Sequence, residues 1–117
     1  MAKNTFCHIE FHSTNLKRSQ AFYEGMFEWN FRAFGDDMVV FGIGDQHLGG
    51  LQKHESFTPG ESPSVWIEAD NLEAYMSKAE KLGGKIARGK SEVPHVGWSA
   101  VVADPDGNHV GLVQFQS

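Results

Sequence analysis

Two strand-like segments carry the polar side chains of this chain that could do chemistry. In "FCHIEF" the alternation of residues places His8 and Glu10 on one strand face, opposite Cys7, Ile9 and Phe11. An imidazole and a carboxylate on one face can transfer a proton or orient a ligand, so these two are the candidate catalytic residues. In "SVWIEAD", Ser64 and Trp66 share a face, where the indole can stack on a flat or cationic ligand or simply pack between sheets.

Two later strands begin with histidines that widen the set of possible ligands. By alternation, His47 in "QHLGGLQ" shares a face with Gly49, and His109 in "NHVGLVQ" shares one with Gly111. A metal site from His8 with Glu10 and His109, or one that uses His47, is conceivable. The alternative is that each histidine is hydrogen-bonded or exposed. The metal-ligand candidates are therefore His8, Glu10, His47 and His109.

These residues fall on a pattern of elements that occurs twice. Residues 8–15 align with 64–71 at an offset of 56, and 46–52 align with 108–114 at an offset of 62. Each half predicts a strand, a helix and three further strands, and Asn15 is the predicted cap of the first helix. In the second half the strand after the helix is predicted at about 85–88, and "RGKSEVPHVG" predicts a loop.

An internal repeat of this size predicts an α+β fold. Two β-α-β-β-β modules would form curved mixed sheets around a cleft, with the helices outside. Residues 1–117 make one domain in this prediction, with module one at about 4–53, a linker at 54–63, and module two at about 64–116.

The bulk composition limits the kinds of partner that the protein could bind. A net charge of −5 argues against nucleic acid, and no apolar run is long enough to cross a membrane. The N-terminus lacks the apolar core of a signal peptide, so a cytoplasmic protein is expected. The single cysteine, Cys7, excludes an internal disulfide and is expected to be a buried thiol.

The motifs "CHIEF", "VWIEADNLEAYMSKAEKLGGKI" and "GWSAVVADPDGNHVGLVQ" resemble the vicinal oxygen chelate superfamily, and the resemblance covers nearly the whole chain. That superfamily includes glyoxalase I, extradiol dioxygenases, and the fosfomycin and bleomycin resistance proteins. The last motif is most similar to a glyoxalase-related subgroup of small bacterial proteins. The resemblance implies a small-molecule ligand and a homodimer.

The resemblance also implies where a metal would bind. The four ligand positions of metal-dependent members fall here on His8, Gly49, Ser64 and Gly111. Glycine has no side chain and a serine hydroxyl is a poor transition-metal ligand, so only His8 remains of about three ligands needed. The inherited metal site is therefore predicted to be lost and no cofactor is expected. A divalent metal at a relocated site is the alternative.

Three functions follow as hypotheses. The first is a glyoxalase/bleomycin-resistance-like protein that binds a small molecule in the cleft without metal. The second is a glyoxalase-related enzyme of the isomerase or lyase type, with a relocated metal or metal-free acid–base chemistry. The third is a subunit with a closed cleft that serves interaction only. The predicted ligand-binding residues are His8, Glu10, Gly49, Ser64, Trp66, His109 and Gly111.

Overall fold

The computed structural model describes residues 3–58 and 62–116. In chain order the elements are β1 (Phe6–Ser13), α1 (Leu16–Phe27), β2 (Asn30–Ala33), β3 (Met38–Ile43), β4 (Gln46–Lys53), β5 (Ser64–Glu68), α2 (Leu72–Lys81), β6 (Lys85–Val93), β7 (Gly97–Ala103) and β8 (His109–Phe115). No helix of the described residues has the length and apolar character that crossing a membrane requires.

The chain divides into two compact units. The N-terminal unit comprises the described residues within 7–64, and the C-terminal unit comprises residues 3–6 together with 65–116. The first residues join the C-terminal unit because the Asn4 N–H donates to the Glu68 carbonyl, and the Glu68 N–H donates to the Thr5 carbonyl.

Each unit contains one four-stranded mixed sheet and one helix. The strand order is β2-β3-β4-β1 in the N-terminal unit and β5-β8-β7-β6 in the C-terminal unit. In both, the first strand of the module pairs in parallel with its last strand, and the other pairs are antiparallel. This confirms the predicted α+β class and the two β-α-β-β-β modules.

The helices begin in the same way but bury different amounts of surface. The Asn15 and Asn71 side chains each accept a hydrogen bond from the backbone N–H three residues later, at 3.0 Å, as the caps of α1 and α2. Leu72, at the start of α2, is fully buried against Ala100 and Leu112. Helix α1 has no fully buried residue, and its side of the sheet is instead filled by aromatic rings.

The ring stack beneath α1 connects the helix to the centre of its sheet. Trp29 and Phe41 lie parallel with ring centroids 4.5 Å apart, and Tyr23 of α1 stacks on Trp29 at 5.7 Å. Phe11 of β1 also contacts Tyr23, so the odd-numbered residues of β1 face the helix. His8 and Glu10 therefore face away from it.

Strand β6 is longer than the sequence predicts. The strand was expected at about 85–88 with a loop after it, but it continues to Val93. The prediction was wrong because Gly89 and polar residues suggested a loop, whereas pairing with β7 extends the strand. Two register irregularities, one on each side of Arg88, accommodate the polar stretch.

The "DPDGN" turn before β8 is held by one carboxylate. The Asp104 side chain accepts hydrogen bonds from the backbone N–H groups of Asp106 and Asn108, and from the Asn108 side-chain amide, each at 2.9 Å. These bonds favour the charged form, and they hold the pKa of Asp104 below its ordinary value of 3.8.

This turn makes part of the stability depend on pH. Because the pKa of Asp104 is lower in the folded chain, its contribution is complete above the ordinary value and is lost as the pH falls through the lowered pKa. We expect Asp104→Ala to lower the urea midpoint at pH 7, and to lower it less at pH 3. Asp106→Ala is the control, because Asp106 contributes its backbone N–H to the turn. A midpoint difference between wild type and Asp104→Ala that stays constant with pH would contradict this account.

Candidate functional site

The strand pairing places four residues in one row across each sheet, on the face opposite the helix. In the N-terminal unit, Arg32 pairs with Val40, Val40 with Gly50, and Gly50 with Glu10. Directly paired residues share a face, so the row crosses β2, β3, β4 and β1 on the side that carries Glu10.

The C-terminal unit repeats this row. Arg88 pairs with Val101, Val101 with Gly111, and Gly111 with Trp66. The two rows match residue for residue as arginine, valine and glycine, and differ only in the fourth member. That member is Glu10 in one unit and Trp66 in the other, so the two faces have different chemistry.

The register of β4 corrects the predicted face of Gly49. The residue opposite Glu10 is Gly50, whereas Gly49 lies opposite Ile9, and a Cβ on Gly49 would contact the Phe41 ring on the helix side. The alternation prediction was wrong because β4 contains a bulge. Between the pairs Phe41–Gly49 and Gly42–His47, β4 has one residue more than β3, namely Leu48.

The bulge also moves His47. Strict alternation predicts that His47 shares a face with Gly49, but the extra residue turns it to the face of His8. Gly42 is required at this point, because a Cβ there would lie 2.2 Å from the Gln46 carbonyl oxygen.

Three side chains on this face form a continuous hydrogen-bonded chain. Nε2 of His8 lies 3.2 Å from Oε1 of Glu10, and Nδ1 of His8 lies 2.8 Å from Nε2 of His47. The His8 and His47 rings are also stacked, with centroids 5.1 Å apart. The side chains of His8 and Glu10 are only 19% and 18% exposed, so solvent competes weakly for the bond between these two.

The carboxylate fixes the direction of the chain. Ionised Glu10 only accepts hydrogen bonds, so Nε2 of His8 carries the proton and Nδ1 accepts from Nε2–H of His47. The lone pair of neutral His47 is then on Nδ1, at the end of the chain.

The surroundings keep His47 neutral. Burial lowers the pKa of His47 below its ordinary value of 6.5, and the nearby His8 and Arg32 lower it further. His47 is therefore mostly unprotonated at pH 7, which is the state that a general base requires.

The side chains do not fit a metal ion. Among residues 3–58 and 62–116, no three His, Cys, Asp or Glu side chains are placed to hold one. The Glu10–His8–His47 chain does not converge on a point, because the two ring nitrogens of His8 point to different partners. A bound metal would need those bonds to be replaced.

The space at Gly111 is occupied by a ring. A Cβ on Gly111 would lie 2.2 Å from the Trp66 indole, so this ring covers the glycine. Gly50 is similar but less crowded, because its Cβ would lie 3.3 Å from the His8 ring. The glycine at position 111 thus makes room for the indole of the neighbouring strand.

Two further predicted residues begin strands. His109 begins β8 in the C-terminal unit, opposite Ala103, and is exposed. Ser64 begins β5 and is half-buried. That either residue binds a ligand, or that His109 joins His8 at a metal, stays a prediction.

A second pair of histidines, His12 and His54, lies together and was not predicted from the sequence. The His54 ring lies on the His12 ring with centroids 3.9 Å apart, and Phe57 packs edge-on against His12 at 5.2 Å. The His12 Nδ1 atom is buried without a hydrogen-bond partner among the described residues. The sequence gives little indication of this contact, because His54 begins a polar stretch typical of a linker.

Comparison with known proteins identifies the family of this fold. A sequence profile of the Glyoxalase/Bleomycin resistance protein/Dioxygenase superfamily matches residues 5–112. The chain belongs to this superfamily, as the sequence motifs predict. No curated protein matches it.

Solved structures with the same fold are distant in sequence. A hypothetical protein from Bacillus halodurans C-125 has a TM-score of 0.79 at 14% identity, covering 99% of this chain and 97% of that one. Methylmalonyl-CoA epimerase from Mycobacterium tuberculosis has a TM-score of 0.74 at 10% identity, with coverage of 100% and 93%. The Mn(II)-bound glyoxalase from Novosphingobium aromaticivorans has a TM-score of 0.68 at 15% identity, with coverage of 96% and 39%. These similarities establish the fold alone.

Proposed function

We propose that the chain binds a small oxygenated molecule on the His8 face of the N-terminal unit and transfers a proton to or from it. The reaction would be of the isomerase or lyase type and use metal-free acid–base chemistry. The observation that carries this proposal is the Glu10–His8–His47 hydrogen-bonded chain on a sheet face that also carries Arg32.

Each residue has a distinct role in the proposed step. Nδ1 of His47 takes a proton from a carbon next to a carbonyl group, and the bond electrons move onto the carbonyl oxygen as an enolate. His8 shares the new charge through the 2.8 Å bond, and Glu10 orients His8 and stabilises the imidazolium. Arg32 supplies positive charge for the enolate, and return of the proton at another position completes an isomerisation.

A divalent metal is not required by this proposal. The Mn(II)-bound glyoxalase shows that a relative of the same fold holds one, whereas the described side chains here do not converge on a metal. We also propose that the protein is a cytoplasmic homodimer. The exposed Phe22, Met26 and Phe27 of α1 are apolar surface that a second copy would cover.

Deuterium exchange tests the proton transfer. Chelator-treated protein in D2O is incubated with hydroxyacetone and 2-oxobutyrate, and loss of their C–H signals is followed by NMR. We expect catalysed exchange that rises with pH through the lowered pKa of His47, below 6.5. His47→Gln should reduce the rate about 10²–10⁴-fold, the usual contribution of a positioned base. His95→Gln, at an exposed turn residue between β6 and β7, is the control and should leave the rate unchanged.

The outcomes separate the hypotheses. Exchange that persists in His47→Gln, or that appears only after Mn or Zn is added, would contradict the proposed base. Ligand-induced shifts of the His8 and His47 ring signals without any exchange would indicate that the protein binds and does not catalyse.

A further inference from the structure

The sheet face of the C-terminal unit carries a cation without an acidic partner. Nη1 of Arg88 donates to the Gly89 carbonyl at 3.2 Å and to Oγ of Ser91 at 2.9 Å, and Nη2 donates to Oγ of Ser99 at 2.7 Å. All three acceptors are neutral. Within the described part of the chain, no carboxylate forms an ion pair with Arg88.

The guanidinium is held in place by the sheet. Ser99 is only 4% exposed, so the strongest of these contacts is anchored in a buried side chain. The strand register is irregular on both sides of Arg88, so regular alternation does not set the direction of its side chain. The side chain instead reaches Ser99. Because these bonds restrict the arginine side chain before any ligand binds, less side-chain entropy is lost on binding.

Two donors of the guanidinium remain available for a ligand. An arginine side chain has five N–H donors, and the three neutral acceptors take three of them. Nε–H and one N–H of Nη2 are left, and these two donors are available to the oxygens of a carboxylate.

The rest of the row supplies an apolar surface beside this charge. Val101 lies between Arg88 and Gly111, and the indole of Trp66 covers Gly111. Strands are about 4.8 Å apart, so about 10 Å separates the backbones of Arg88 and Gly111. A span of about 10 Å is long enough for a benzene ring over Val101, which would place the edge of the ring towards the indole and a carboxylate towards the guanidinium.

We propose that this face binds an aromatic carboxylate, with Arg88 as the partner of the carboxylate and Val101 and Trp66 as the surface for the ring. The N-terminal unit has the same arginine, valine and glycine, but Glu10 stands in the place of Trp66. An acid at that position repels a carboxylate, so the two units differ in what they bind. This site does not depend on proton transfer by His47.

Titration with phenylacetate tests the site on the full chain. The indole N–H signals of Trp29, Trp66 and Trp98 are followed by two-dimensional NMR, with assignment by Trp66→Phe. We expect a saturable shift of the Trp66 signal. Phenylacetamide has the same ring without the charge, and it should bind at least about tenfold more weakly. Arg88→Gln should weaken phenylacetate binding by about tenfold or more.

Arg32→Gln is the matched control, since it removes the arginine of the other row and should leave the phenylacetate titration unchanged. If Arg88→Gln fails to fold, Arg88→Lys and Arg32→Lys replace the pair. Lysine keeps the charge but loses the paired donors, so only Arg88→Lys should weaken binding. Equal binding of the acid and the amide, or equal effects of the changes at positions 88 and 32, would overturn the proposal. If the wild-type protein binds phenylacetate but catalyses no deuterium exchange, only the proposed function is contradicted.

Discussion

Leu72→Ala is expected to lower the free energy of unfolding by about 2–5 kcal/mol. Leu72 is 0% exposed and packs against Ala100 and Leu112, which are also buried. Removing its side chain would leave a cavity beneath α2, and the surrounding strands, which pair along their length, can close it only in part.

The repeated architecture provides the matched control for this change. Leu16 holds the same position in α1, directly after its asparagine cap, but it is only half-buried. Leu16→Ala should therefore cost less, about 1 kcal/mol. Urea unfolding of both variants, followed by circular dichroism, checks the difference. Equal losses would show that the two helices contribute alike, contrary to the burial.

Gly111→Ala is expected to destabilise the protein by about 1–3 kcal/mol, because the new methyl group displaces the Trp66 ring. The Cβ would lie 2.2 Å from the indole, a distance that no packed pair of carbons tolerates. The result would be unusual for a strand, where alanine is ordinarily as good as glycine or better. A larger residue such as glutamate at this position would displace the ring further.

A double-mutant cycle isolates the cause. In a Trp66→Ala background the same Gly111→Ala change should cost little or become stabilising, since the ring is gone and only the backbone entropy of glycine remains. Gly50→Ala is the control in the N-terminal unit, where the Cβ would lie 3.2 Å or more from its neighbours. If Gly111→Ala still destabilises the protein in the Trp66→Ala background, the strain arises from the backbone and not from the indole.

Most of the fold could be predicted from local patterns in the sequence. Strand alternation, the Asn15 cap and the repeated order of elements are short-range signals, and the Asn15 cap forms as predicted. The end of β6 was not predictable in this way. Its polar residues are compatible with a loop, and only pairing with β7 extends the strand to Val93.

The candidate site was predictable only in part. His8 and Glu10 are hydrogen-bonded as their spacing on β1 allows, and Trp66 shares a face with Gly111. The contact of His8 with His47 was not predicted, because alternation fails at a bulge. The sequence did contain a signal for the bulge. "GL" at positions 50–51 matches "GL" at 111–112, an offset of 61 and not 62, and the leucines are buried in both units.

The single extra residue in β4 has a consequence for how the two halves of such a chain can diverge. A point substitution replaces one side chain, whereas an insertion in a strand exchanges the sides of every residue up to the next turn. Here the segment before Leu48 is short, so the exchange reaches His47 and little else. One inserted residue thereby moves a histidine from the helix side of the sheet to the side that carries His8. Two halves with the same order of elements can acquire separate chemistry in this way without any change in their core.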